Sequence, residues 1–248
     1  MENYSEANLM QAFNLTKPTV LSDSDVVESY LQSMNLSLHD LTRIFERGLS
    51  GRYSTTRNHP LISRGQYFYG EAVSGARDIL ASRGYKGLSL RNVELTVDKN
   101  HAIYICRGCN QTGLINGYPE SRMKKGDFTC DLMGLIRNNN PGQGILELND
   151  NQLKIDFGLS NEDITPPLPN KIGLDLWFLL YDFDKTDEYG RVGIRAELSR
   201  PISYNDKNIV NSFSTRLILD IHQPEPIIQG RDTPQFTQDI ELDISKVG

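Results

Sequence analysis

Cys106-Arg-Gly-Cys109 is the one C-x-x-C in this chain. Two thiolates at that spacing can hold one ion, because Gly108 lets the backbone fold back on itself. A structural zinc site needs four ligands. Cys130 and His101 are the residues close enough in sequence to complete it, so the candidate metal set is Cys106, Cys109, Cys130 and His101. With no second C-x-x-C, the plainer alternative is a pair of reduced thiols at a strand end.

Carboxylates give a second chemistry. Mg²⁺-dependent nucleases need two or three carboxylates around the ion, often with a Lys nearby. Glu94 and Asp98 fall on the first strand of a predicted hairpin, and Glu71 on the helix before it. A later hairpin carries Glu147 and Lys154-Ile-Asp156. Neither contains Glu-x-Lys, so the pattern is that of a degenerate acidic site. Acids on strands also serve as an ordinary solvated face.

Cations give the third. The net charge is -6, yet it is unevenly placed. Residues 1–42 hold one Lys against six acids, residues 43–125 fourteen Lys and Arg against six acids, and residues 126–248 eleven against twenty. The basic middle is rich in Arg, whose planar fork suits two-point contact with phosphate. The expected polyanion face is Arg43, Arg52, Arg57, Arg64, Arg107, Arg122, Lys124 and Lys125. The alternative is that the basic middle pairs with the acidic last third of the same chain.

Two local features could support such a face. Residues 107–127, RGCNQTGLINGYPESRMKKGD, put four glycines beside Arg107, Arg122, Lys124 and Lys125, and Gly-freed amides beside cations can cradle phosphate. Tyr67-Phe68-Tyr69 offers rings on which bases stack, although three successive helical residues point three ways and core packing is the commoner role. No Walker A loop, Gly-x-Gly-x-x-Gly, Gly-x-Ser-x-Gly or His-Glu-x-x-His occurs.

These side chains must be positioned by elements that the apolar spacing predicts. Residues 24–48 read as two helices. The first is capped by Asp25 with Glu28 and carries Val27, Tyr30, Leu31 and Met34. Asn35 takes a left-handed turn, Ser37 caps the second helix, and Gly48 stops it. Residues 65–83 form a third helix, with Tyr69, Val73, Ala76 and Leu80 on one side and Gly84 at its end. Leu88–Val97 reads as one strand with a bulge near Asn92, followed by a turn and a strand over Ala102–Cys106. Further strands are expected at 145–148, 153–157, 174–183, 191–199 (ended by Pro201), 215–221 and 236–244, with a short apolar helix near 132–136.

The stretch Val27–Ile44 resembles the helix-turn-helix of repressor-type DNA-binding proteins, over about twenty residues. Tyr30 and Met34 stand at its first-helix apolar positions, Asn35 at its turn, and Leu36, Ser37, Leu41 and Ile44 at its later anchor and cap positions. Leu31 departs from the pattern, which favours a small residue there. The resemblance implies base or phosphate contact by Leu38, His39, Thr42 and Arg43. An αα-hairpin packed on the core is the alternative.

The expected class is α+β, with N-terminal helices followed by a mainly antiparallel sheet. The segments are a helical 1–58, a basic mixed 59–162 and an antiparallel 171–248, or a single domain throughout. Three cysteines and no apolar leader imply a reducing, cytoplasmic setting without a membrane partner. The composition points to a nucleic-acid-associated binding protein, in regulation or in phage and genome conflict. The alternatives are a metal-dependent nuclease and a protein-interaction module. Zn²⁺ is the cofactor the cysteines would hold, and Mg²⁺ the one a nuclease would need.

Overall fold

A computed structural model of the chain describes residues 17–127, 129–130, 133, 174–186 and 192–221. Its elements run β1 (Thr19–Leu21), α1 (Ser24–Ser33), α2 (Leu38–Tyr53), α3 (Ser63–Ala81), β2 (Lys86–Leu90), β3 (Val93–Val97), β4 (His101–Arg107), β5 (Asp175–Thr186), β6 (Val192–Tyr204) and β7 (Val210–Leu219). The strands form one sheet in the order β1-β7-β6-β5-β4-β3-β2. The class is α+β, but the sheet is mixed rather than mainly antiparallel. β1 runs parallel to β7, and β4 parallel to β5, while the other neighbours are antiparallel. Nor do the helices come first, since β1 precedes them. Strands from all three predicted segments enter this one sheet. The strands expected at 145–148, 153–157 and 236–244 lie outside the described residues, as does most of the helix near 132–136.

Alternation along the strands gives the sheet two apolar faces. Ile103, Ile105, Trp177, Leu179, Tyr181, Ile194, Ala196, Leu198, Leu217 and Leu219 face the helices and join Leu31, Leu41, Ile44, Phe45, Phe68 and Leu80 in the larger core. Leu95, Ala102, Cys106, Leu176, Phe178, Leu180 and Phe213 form a smaller cluster on the other face. β4 and β5, buried on both faces, therefore read as apolar runs, as central parallel strands do.

The helix pair turns where expected. Asn35 has φ 55°, and the Ser37 hydroxyl accepts from the Asp40 N–H at 3.1 Å. The first cap is Asp23 rather than Asp25. Its carboxylate accepts from the N–H groups of Asp25 and Val26, two and three positions on, where an N-cap side chain reaches. Glu28 instead reaches forward to the Leu38 N–H, 2.8 Å away. Gly48, expected to end α2, lies inside it. A Cβ there would come within 2.9 Å of the Phe68 ring, and one at Gly51 within 2.6 Å of the Tyr67 carbonyl. These glycines let α2 and α3 approach closely, an advantage that outweighs their helix cost of about 1 kcal/mol each.

Two strand readings change. The break near Asn92 is a hairpin turn and not a bulge. Arg91 and Asn92 both have positive φ, 47° and 66°, the backbone of the tight turn that matches strand twist. β6 continues through Pro201 to Tyr204. Pro201 sits where the pairing with β7 shifts register, and β5 pairs with β6 only as far as Ser199. The missing N–H of Pro201 therefore leaves no ladder partner unmet.

Candidate nucleic-acid interface

α2 ends, α3 begins and β4 ends at one end of the central strands, and three arginines meet there. Arg52 lies in the last turn of α2, Arg64 in the first turn of α3, and Arg107 closes β4. The Arg52 guanidinium lies 4.4 Å from the centre of the Phe183 ring and that of Arg107 5.0 Å from the same ring. Phe183 is itself fixed by edge contacts with Phe68 and Tyr181. Cations over an aromatic face gain from its quadrupole, and here the ring also limits where each guanidinium can swing.

Among the described residues the charges at this end of the strands do not cancel. Arg107 donates through Nε to Asp182, 3.0 Å away and almost fully buried. Among the described residues no carboxylate pairs with Arg52 or Arg64. Burial, and then the like charges of Arg64 and Arg107, pull the Arg52 guanidinium below its ordinary value. The group stays cationic at neutral pH, held beside two others at a cost that an anion would relieve.

Arg122 joins from the loop. Gly108 and Ser121 form an isolated antiparallel bridge, and the Arg122 N–H donates to the Arg107 carbonyl at 2.9 Å. The two arginines are thus cross-strand neighbours, an arrangement that is unfavourable for like charges. Arg57 and Lys124 are exposed, Arg57 in the α2–α3 loop beside the cluster's two helices.

The other cations of the expected face stand elsewhere. Arg43 is exposed, but nine residues before Arg52 on one helix places it about half a turn out of phase and about 13 Å away along the axis. Lys125 is only 7% exposed. Its ammonium lies over the rings of Tyr104 and Phe178, against the smaller core, so it belongs to no outward surface. Several remaining arginines are paired: Arg47 with Glu71 and Asp78, Arg77 with Glu94, and Arg83 with Asp40. Most of those partners come from the basic segment itself, not from the acidic last third.

The loop over 107–127 is a stapled cover. Glu197 is fully buried and Arg216 2% exposed. Arg216 donates Nε to Glu197 Oε1 at 3.1 Å and Nη2 to Oε2 at 2.5 Å. It also donates to the carbonyls of Gly117 and Leu114, at 2.7 and 3.0 Å. The Gly113 N–H and the Ser199 hydroxyl donate to the same carboxylate, and Arg195 donates to the carbonyls of Asn110 and Thr112. The glycines serve this docking rather than a phosphate cradle. A Cβ at Gly113, where φ is +74°, would meet the β6 backbone at 3.0 Å, and one at Gly117 the Gln111 carbonyl at 2.3 Å.

The metal quartet is not assembled, and no three His, Cys, Asp or Glu among the described residues gather around a common point. His101 opens β4 and Cys106 lies near its other end. His101 instead pairs with Asp98, Nδ1 to Oδ1 3.2 Å. Cys106 is buried in the smaller core, where desolvation raises its thiol pKa despite the nearby Lys125. Cys130 is buried in the same cluster. Cys109 Sγ accepts from the N–H groups of Gln111 and Glu120, at 3.4 and 3.3 Å, and so closes the loop. Glu94 is engaged by Arg77 and Ser89, and Asp98 caps its turn by accepting from Asn100 and His101.

In the helix pair, Leu38 packs on the core and the Thr42 hydroxyl donates to the Leu38 carbonyl, which leaves His39 and Arg43 outward. Of the aromatic triplet, Phe68 is core, Tyr69 is half-buried with its hydroxyl pushed up to about 12 by desolvation, and Tyr67 is exposed. Sequence reasoning passed over Phe183 and Asp182, which fix the arginines. Both lie in an apolar strand run where nothing marks them as partners of a helix end. Comparison with protein-family models, curated proteins and solved structures finds no match to this chain.

Proposed function

We propose that the chain binds nucleic acid through Arg52, Arg64, Arg107 and Arg122. The observation that carries this reading is the gathering of like-charged guanidinium groups at one end of β4 and β5, with Asp182 the one carboxylate paired with them among the described residues. Guanidinium groups that repel one another in the unliganded protein are stabilised by a phosphate that bridges them. Binding driven this way releases counterions. Four contacts to a single strand give a slope of about −3 in log K against log salt, a loss of roughly fifty-fold between 50 and 200 mM.

Fluorescence anisotropy with a single-stranded oligonucleotide across that salt range tests the reading. The slope falls by about 0.7 for each of Arg52→Ala and Arg64→Ala, and stays unchanged for Arg43→Ala. Absence of binding at 50 mM salt overturns it.

A protein partner is the second reading. Leu61 is 95% exposed and Ile62 66% exposed at the start of α3, apolar surface beside the same cations. A mass that grows with concentration, without affinity for nucleic acid, would favour it.

A further inference from the structure

Among the described residues, the cations of the expected face do not all lie along one path. A protein that tracks a single-stranded backbone spaces its cations along a groove, one phosphate after another. Here Arg43 faces away, Lys125 is buried, and Arg47, Arg77 and Arg83 are neutralised. Among the described residues, Arg52 and Arg107 share one ring and Arg64 lies against Arg52, while Arg122 meets Arg107 through its backbone N–H. Among the described residues, and with Asp182 counted, the three guanidinium groups of Arg52, Arg64 and Arg107 leave two positive charges there.

Two charges match a phosphate monoester, which carries about −1.5 to −2 at neutral pH, better than a diester, which carries one. α3 adds to the field. Its first residues follow Ile62, which makes no side-chain cap, so the positive end of a nineteen-residue helix lies at Arg64. Apolar surface borders the same start of α3. Leu61 and Ile62 are exposed, and Tyr67 stands edge-on to His59 with their ring centres 5.8 Å apart. A ring and two aliphatic side chains beside a phosphate site suit the unpaired terminal base of a strand.

We propose that the Arg52–Arg64–Arg107 cluster binds the phosphomonoester terminus of a nucleic-acid strand, with the exposed apolar residues at the start of α3 supporting the end base. This rests on the nucleic-acid reading above and narrows it to strand ends.

The test is anisotropy at fixed salt with one oligonucleotide sequence, labelled internally, in four forms: 5′-phosphate, 3′-phosphate, hydroxyl at both ends, and covalently closed circle. One phosphorylated form binds at least tenfold tighter than the hydroxyl form, and which one it is assigns the end. The circle binds no better than the hydroxyl form. A nucleoside monophosphate of the favoured polarity competes. Arg52→Ala and Arg64→Ala erase the preference. Arg64 is exposed, so its variant keeps the test valid should the half-buried Arg52 variant fail to fold. A preference below tenfold, with salt-dependent binding of all four forms intact, overturns the end-binding proposal and leaves nucleic-acid binding standing. No binding of any form at low salt overturns both.

Discussion

Replacing Arg216 with Met strikes the one fully buried ion pair between β6 and β7. Arg216 makes four hydrogen bonds, two to the Glu197 carboxylate and two to the loop carbonyls of Gly117 and Leu114. Met is close in length and leaves no large void. The loss is therefore electrostatic: a carboxylate with no exposed surface keeps only the Gly113 N–H and the Ser199 hydroxyl as donors. Removing one member of a buried pair costs about 3–5 kcal/mol, because the other is stranded. The Leu114 carbonyl adds little, since that residue is partly exposed, and water can reach the buried Gly117 carbonyl once the loop lifts. Against a total stability of about 5–15 kcal/mol this is severe. Urea unfolding followed by circular dichroism measures it, and amide exchange at Gly113 reports the loop separately. The double variant Glu197→Gln with Arg216→Met should recover at least half of the loss, because no charge remains stranded. A single-variant loss under about 1 kcal/mol, or a double variant no better than the single, would refute the claim that a buried charge pair holds the cover on the sheet.

The glycines of the helix pair make opposite predictions. Gly51→Ala places a Cβ 2.6 Å from the Tyr67 carbonyl, which cannot swing aside, and costs about 2–3 kcal/mol. Gly70→Ala, with nothing within 4 Å, gains about 0.5–1 kcal/mol, and thermal melts of both check the pair. Alkaline pH gives the last prediction. Burial raises the hydroxyl pKa of Tyr85 and Tyr181, so above pH ~10 the unfolded chain binds fewer protons than the native one. Stability should then fall with rising pH, by about 2.7 kcal/mol per unit for the two groups together. Tyr69 and Tyr104, also raised by burial, add to the measured slope, so Tyr85→Phe should lower it by up to about 1.4 kcal/mol per pH unit in urea titrations at pH 9 to 11. Native-state absorbance at 295 nm showing all tyrosines ionising near 10 would contradict it.

Local rules were enough for the turn between α1 and α2. Asn35 before Leu36-Ser37 fixed the turn and cap, because both depend on residues within one helical turn. Periodicity failed where a residue's reason lies across the fold. Gly48 reads as a stop, since Phe68 in the next helix, which requires the small residue, is invisible along the chain. Arg91-Asn92 reads as a bulge because a hairpin and an irregular strand share the same two-residue period. Glu197, Ser199 and Arg216 alternate with Ala196, Leu198 and Leu217 and so read as a solvated face. Among the described residues, the cover over 107–127 turns that face inward. The candidate site shows the same division. Arg52, Arg64, Arg107 and Arg122 were legible as cations of a basic segment. Which cations converge, and that Lys125 does not, depends on the β4–β5 pairing and on the placement of α2 and α3.

That pairing also governs how the chain reaches its native form. α2 and α3 contact each other over a short separation and can assemble early, whereas α1 packs against β7. By contrast β4 must find β5, matching Arg107 to Tyr181, and β1 must find β7, matching Thr19 to Thr215. Such distant partners carry a large loop-closure entropy before any contact rewards it, and chains of this kind refold in roughly milliseconds to seconds rather than microseconds. The arginine spot draws on both sets of contacts. It is therefore complete only at the last stage, and a nascent or partly refolded chain holds its cations apart.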